Sequence, residues 1–414
     1  MTKTKVAVIG AGAAGAFAAI RAAECGADVT AFEKNRDVGR KLRITGKGRC
    51  NVTNDCEVRE MMGAITKNPR FLYGALSRFS PEDTIAYFEG LGVPLKTERG
   101  RRVFPESDDA NDIANALAGE MKRLGVRIVR AAVRSVEPSE AGFRVTTDAG
   151  ETHDFDSVVI ATGGVSYPGT GSTGDGHRIA RELGIAVTPL SPSLVPIVTV
   201  EDCAPMMGLS LRNVRLDVTD AAGKRVFSEQ GEMLFTHFGV SGPLVLSASA
   251  FMRPDPAAYK MSVDLKPALD EKTLDRRITS DLEKNSSREF KNSLGALLPS
   301  SIIGEVVRRS GIEPTKKCAQ ITKAERASLG AVVKGFTLTP RAFRPIAEAI
   351  VTSGGVDVSA LDPKTMAAKA IPGLYFAGEI VDVDAFTGGY NLQIAFATGR
   401  LAGESAAARG ADAQ

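Results

Sequence analysis

The chain has 414 residues, with 52 Lys and Arg against 49 Asp and Glu, a net charge of +3, 43% hydrophobic residues and 42 glycines. That length allows two or three domains with real cores, and the apolar content excludes a disordered chain and a polytopic membrane protein. The near balance of charge gives no general pull toward nucleic acid or acidic lipid, so neither a nucleic-acid partner nor a membrane is expected.

Residues 1–5 lead directly into a strand, and no signal peptide or spanning helix is read. Lys5 to Ile9 reads as a short buried strand that stops at Gly10-Ala11-Gly12-Ala13-Ala14-Gly15. A small-residue helix is expected from Ala13 to Cys25, ended by Gly26, and a second strand from Asp28 to Glu33. Ser80-Pro81-Glu82-Asp83 starts a helix, and Leu91-Gly92-Val93 follows its end. Val126 to Val129 and Phe143 to Thr147 are strand-like. Asp156 to Ala161 is another buried strand, running into Thr162-Gly163-Gly164. Strand-like alternation fills 195–263, and a helical, mixed-charge pattern fills 267–331. The strand and glycine texture then returns, with a strand over 373–378 and a last helix from Asn391 to Ala408. The fold class is therefore α/β: a discontinuous Rossmann-type nucleotide-binding domain (1–190 and 337–414). A β-rich module (191–266) and a helical module (267–336) are inserted into it.

Gly10, Gly12 and Gly15 fit G-x-G-x-x-G between a strand and a helix. Gly10 permits the tight turn, Gly12 lets backbone approach a pyrophosphate, and Gly15 lets helix and strand pack closely. The helix N-terminus, including Ala13 and Ala14, offers free N–H groups and a positive dipole end to phosphate. Glu33 ends the second strand, where a carboxylate accepts ribose hydroxyls; Lys34 follows it. Two later features favour FAD over NAD. One is the Ala161-Thr162-Gly163-Gly164 turn. The other is Gly378-Glu379 at a strand end, followed by Gly388-Gly389-Tyr390-Asn391 and a helix aimed at the flavin pyrimidine edge.

Residues 39–54 (GRKLRITGKGRCNVTN) and 161–176 (ATGGVSYPGTGSTGDG), with Thr352 to Val356 and Gly389 to Gln393, carry a specific likeness. The chain resembles the BaiN-like flavoproteins, also called YhiN-like or aminoacetone-oxidase-like, over nearly its whole length. The resemblance implies bound FAD and a three-part architecture. It also implies flavin contacts from Arg40, Lys41, Gly46, Arg49, Cys50 and Asn51. Val133, Thr162, Gly163, Gly164, Gly378, Glu379, Gly389, Tyr390, Asn391 and Leu392 join the cofactor-binding set. The family commonly carries Asn or a similar residue where this chain has Lys47.

Other signals are weaker. Gly169 to Gly174 also matches G-x-G-x-x-G but follows a proline loop rather than a strand. It is read as a loop and helix cap, with Thr173 or Asp175 near the start of a helix over 177–183. Cys50 and Cys56 have the wrong spacing for a redox pair on a helix, since one extra residue rotates the second sulfur by about 100°. Five cysteines in a long chain point to a reducing, cytoplasmic setting. His237, before a glycine turn, is read first as structural, with an acid–base role as the alternative. No metal cluster is read. The expected function is FAD-dependent oxidoreduction of a small-molecule substrate, with NAD(P)H, oxygen or another protein as electron partner. A flavin-dependent RNA-modifying enzyme and a non-catalytic flavin sensor are the rivals.

Overall fold

The computed structural model describes residues 3–140 and 142–412. The chain forms two compact units, Met1–Ser193 with Ile346–Gln414, and Leu194–Pro345.

The first unit is built on five parallel strands. They are β1 (Lys5–Ile9), β2 (Asp28–Phe32), β3 (Arg127–Val129), β4 (Ser157–Ile160) and β5 (Leu374–Phe376), in the order β5-β4-β1-β2-β3. Val6, Val8, Val158, Val159 and Ile160 are buried, and both faces are covered, as a parallel sheet requires. The helix α1 (Ala13–Glu24) follows β1, α2 (Asp175–Glu182) follows β4, and α3 (Tyr390–Asp412) closes the chain.

Helices α1 and α3 touch backbone to backbone. A Cβ on Gly399 would lie 2.2 Å from the Ala14 carbonyl oxygen, and one on Gly403 2.2 Å from that of Ala18. Phe17 and Phe396 fill the flank with ring centroids 4.6 Å apart. This contact brings the last helix of the chain against the first, the two running parallel with Gly399 on Ala14 and Gly403 on Ala18. The helix over Pro81–Gly90 starts with a capping box between Ser80 and Asp83.

The second unit carries a seven-stranded antiparallel sheet and three longer helices, Glu271–Lys284, Ser300–Ser310 and Lys323–Lys334. The sequence separates a β module from a helical module, but the two share one core. Leu216 and Phe235 from strands cluster with Leu274, Ile302 and Val333 from helices. Neither layer covers its own apolar face, so they bury each other and form one unit. A short helix, Pro243–Ser249, also interrupts the strand-rich stretch, started by Pro243 directly after the left-handed Gly242. Among the described residues no helix is long and apolar enough to cross a membrane.

Candidate functional site

The glycine turn between β1 and α1 is shaped by two contacts. Gly10 sits at φ 92°, and its amide donates to the Phe32 carbonyl at 2.8 Å. Gly15 lies flat on that turn, with its virtual Cβ only 1.7 Å from the Gly10 carbonyl oxygen. Gly12 is different. No atom lies within 4 Å of its virtual Cβ, and it caps α1 with no side-chain acceptor. The N–H groups of Ala13, Ala14 and Gly15 therefore open onto free space with the helix dipole behind them. The Glu33 carboxylate, 6% exposed, closes one side. Its Oε2 accepts from the Ala11 amide at 2.9 Å, and its Oε1 from the Asn35 amide and side chain, both at 2.8 Å.

A second cluster joins four distant segments. The Lys41 ammonium donates to Ser166 Oγ at 2.7 Å and to Glu379 Oε2 at 2.8 Å. Glu379 Oε1 accepts from Ser166 Oγ at 3.0 Å and the Thr352 amide at 2.8 Å. Burial acts to raise the Glu379 carboxyl, but the Lys41 charge and these hydrogen bonds outweigh it and hold the carboxyl below its ordinary value. The Thr352 hydroxyl also accepts from the Val165 and Ser166 amides. Gly164 is pressed so closely on Thr352 that a Cβ there would lie 2.3 Å from its hydroxyl. Gly378 has the same role against Ala14, 2.6 Å from its virtual Cβ, and donates its amide to Thr398. Ser166 and Thr352 lie inside the motifs that carry the family likeness, yet only the folded geometry marks them as partners of Lys41 and Glu379.

The segment after Lys41 has an unusual backbone. Gly46, Lys47, Gly48 and Cys50 all adopt positive φ, between 58° and 86°. Non-glycine residues pay for that conformation, and Asn tolerates it better than Lys. Lys47, at φ 61°, therefore carries a conformational cost that Gly or Asn at the same position would largely avoid. With its amide oriented by its neighbours, Asn51 accepts from the Gly389 amide at 2.9 Å and donates to the Thr53 carbonyl. It thereby fastens this segment to the N-terminus of α3.

Several motif residues spend their side chains elsewhere. Arg49 pairs with Glu98 and Asp108 and stacks 4.2 Å over the Phe104 ring. Lys34 reaches Thr173 and Asp175, both at 2.6 Å. Asp175 is the first residue of α2, so its own carboxylate faces the dipole end that a phosphate would need in the second glycine loop. Arg40 is exposed and donates to Asn35 at 3.1 Å. Asn391 clamps the preceding loop through the Ala385 amide and carbonyl and the Phe386 carbonyl. Tyr390 packs over Gly388, and burial first, then Cys56 and Glu60, raise its phenol. Leu392 packs against the core. Val133 is buried in a separate three-stranded sheet, opposite Thr147. Gly163 takes φ 74°, and the buried Thr162 hydroxyl has no hydrogen-bond partner.

The cysteines are free thiols. Burial pushes Cys50 up to about 12 and Cys56 to about 11. Thiolate is the reactive form, so burial disfavours nucleophilic chemistry at both thiols near neutral pH. Cys56→Ser is expected to leave flavin reduction unchanged, and both thiols are expected to resist iodoacetamide at pH 7.5 in native protein; fast alkylation by mass spectrometry would refute the assignment. His237 lies exposed in the turn of a second-unit hairpin, edge-on to Phe238. His177 is 1% exposed, bound at Nε2 to the Ile380 carbonyl, and burial lowers its pKa. Among the described residues no group of three His, Cys, Asp or Glu side chains could hold a metal ion.

The parallel sheet, the open glycine turn and the acid following β2 define a class, the Rossmann-fold dinucleotide-binding proteins. Within that class, the chain belongs to the HI0933-like Rossmann family, whose model matches residues 4–405. It is 32% identical to a ribosomal RNA dihydrouridine synthase of Haemophilus influenzae, over 94% of this chain and 95% of the relative. It is equally 32% identical to a 3-dehydro-bile acid delta(4,6)-reductase of Clostridium scindens, over 98% and 99%. The fold also matches a 3-ketosteroid-delta4-(5alpha)-dehydrogenase from Rhodococcus jostii RHA1, with a TM-score of 0.52 and 17% identity over 98% of this chain and 97% of that one.

Proposed function

We propose that this protein is an FAD-dependent enzyme that saturates a carbon–carbon double bond conjugated to a carbonyl, with NAD(P)H as electron donor. The cofactor reading is carried by the open space at Gly12, bordered by the free first-turn amides of α1 and the fixed Glu33 carboxylate. That cradle has the shape and charge of a diphosphate-ribose site, so the residues present fit FAD. FAD, when bound, supplies hydride exchange with the substrate. The backbone at Gly10, Gly12 and Gly15 holds the diphosphate, and Glu33 holds the adenosine ribose. Lys41 and the N-terminus of α3 offset negative charge at the ring end. Tyr390, at the start of α3, would present its phenol as the proton donor of this segment.

The reaction class is supported by the names of both relatives. Dihydrouridine differs from uridine by two hydrogens across a double bond conjugated to a ring carbonyl. A 3-oxo steroid with a delta-4 double bond presents the same conjugated unit. In each case a hydride adds to the carbon distal to the carbonyl, a proton adds to the carbon beside it, and the double bond becomes single. The +3 balance argued against nucleic acid, but relatives named for ribosomal RNA make an RNA uracil ring a second substrate reading.

Purified protein is expected to be yellow and to release FAD on denaturation. In anaerobic stopped flow, NADH or NADPH should bleach the bound flavin, and either a 3-oxo-delta-4 steroid or uridine-containing ribosomal RNA should restore its colour. Colourless protein that cannot be reconstituted overturns the cofactor reading. Flavin that is reoxidised by oxygen alone overturns the reaction class.

A further inference from the structure

Resting on the flavin reading above, we infer that Asn35 is the positioning residue that aims Glu33 at the adenosine ribose and so sets the affinity for the adenosine half of the cofactor. Its side chain makes three hydrogen bonds, with both Nδ2 protons donated and one Oδ1 lone pair occupied. One Nδ2 proton goes to Glu33 Oε1 at 2.8 Å and the other to the Thr170 carbonyl at 3.1 Å. Its Oδ1 accepts from Arg40 Nη1 at 3.1 Å. Its backbone amide makes a second bond to Glu33 Oε1 at 2.8 Å. The backbone of Gly171 lies flush on the amide, where a Cβ would sit 2.5 Å from Nδ2.

These contacts have a stereochemical consequence. A carboxylate offers about four lone-pair positions. Both on Glu33 Oε1 are taken by Asn35, and one on Oε2 is taken by the Ala11 amide. The carboxylate cannot rotate without breaking three hydrogen bonds, and one Oε2 position remains for an incoming hydroxyl. Asn35 also ties the 168–171 turn and Arg40 to the same point, so the acid, the turn and the guanidinium hold a common geometry before any ligand arrives. Pre-ordering of this kind raises affinity by removing reorganisation on binding.

The test measures FAD and FMN dissociation constants on the apoprotein by flavin fluorescence, since FMN lacks adenosine. Asn35→Ala is expected to weaken FAD about tenfold, the scale of one hydrogen bond to a charged group, and to leave FMN unchanged. Asn35→Asp places a second carboxylate beside Glu33 and should weaken FAD further. Because Asn35 acts through Glu33, Asn35→Ala should cost nothing more in a Glu33→Ala background. Unchanged FAD affinity in Asn35→Ala, equal losses for FAD and FMN, or additive losses in the double variant would each overturn the inference. If FMN does not bind the wild type, the double variant alone decides. Wild-type protein that takes up no FAD overturns the flavin reading and this inference together. Equal melting temperatures of the apoproteins separate positioning from folding.

Discussion

Gly15→Ala is expected to destabilise the apoprotein and abolish FAD retention, whereas Gly12→Ala abolishes retention alone. The new methyl at position 15 would lie 1.7 Å from the Gly10 carbonyl oxygen. That oxygen is backbone in a turn fixed between β1 and α1, so the helix or the turn must move. Overpacking of this kind costs about 1–3 kcal/mol, and a clash with backbone belongs at or above the top of that range. The methyl at position 12 meets nothing within 4 Å, and Gly12 has φ −76°, which alanine adopts freely. Apoprotein stability should then change by less than about 0.5 kcal/mol. The methyl nonetheless occupies the space in front of the helix amides, so FAD affinity should fall by well over about tenfold, which is about 1.4 kcal/mol. Urea unfolding of both apoproteins and flavin titration of both variants check the contrast. Equal stability losses at the two positions would refute the division of labour between the two glycines.

Lys41→Met is expected to be the most damaging change in the second cluster. Both partners are largely buried, with the Lys41 and Glu379 side chains 24% and 20% exposed. Removing the ammonium leaves a carboxylate that has lost water and its counter-charge. For fully buried pairs the cost is about 3–5 kcal/mol, and the residual exposure here places it near 2–3 kcal/mol. Glu379→Gln in the same chain removes the orphaned charge, so the double variant should be more stable than the single one. The sign with pH follows from the depressed carboxyl. Glu379 contributes stability above its ordinary value of 4.5, and that contribution is lost as pH falls through its lower folded value. The loss should be smaller in Lys41→Met, because the ammonium leads the influences holding the carboxyl down against burial. Denaturant melts between pH 3 and 7 measure both. A Lys41→Met protein as stable as wild type would show that the pair is incidental.

The legibility of this protein divides along sequence distance. The β1-turn-α1-β2 unit was readable because the contacts that mark it, the Gly10 amide on the Phe32 carbonyl, Gly15 on Gly10 and the Ala11 amide on Glu33, all join residues within the first 33. Gly10, Gly15 and Glu33 stand close together in the chain as well as in space. The capping box at Ser80 and Asp83 was readable for the same reason. Arg49 carries a part that its motif did not contain: its position implied flavin contact, and in the fold its guanidinium also pairs with Glu98 and Asp108. Lys34, Asn391 and Cys50 likewise have partners or burial that a list of motif residues does not contain. The β and helical segments of the second unit looked separable because their periodicities differ, and periodicity carries no record of which faces meet.

By itself the sequence determined the parallel α/β frame, the dinucleotide-type turn and the acid at the end of β2. Each depends on local steric and hydrogen-bonding rules that a short window contains. Only the tertiary structure decided which charges meet and which remain open. Lys41 finds Glu379 across 338 positions, Ser166 and Thr352 complete that cluster, and Gly399 and Gly403 seat α3 on α1. Such pairings depend on how the strands are ordered and how closely backbones approach. They also give the abundant glycine its meaning, since several of these residues mark places where one backbone presses on another.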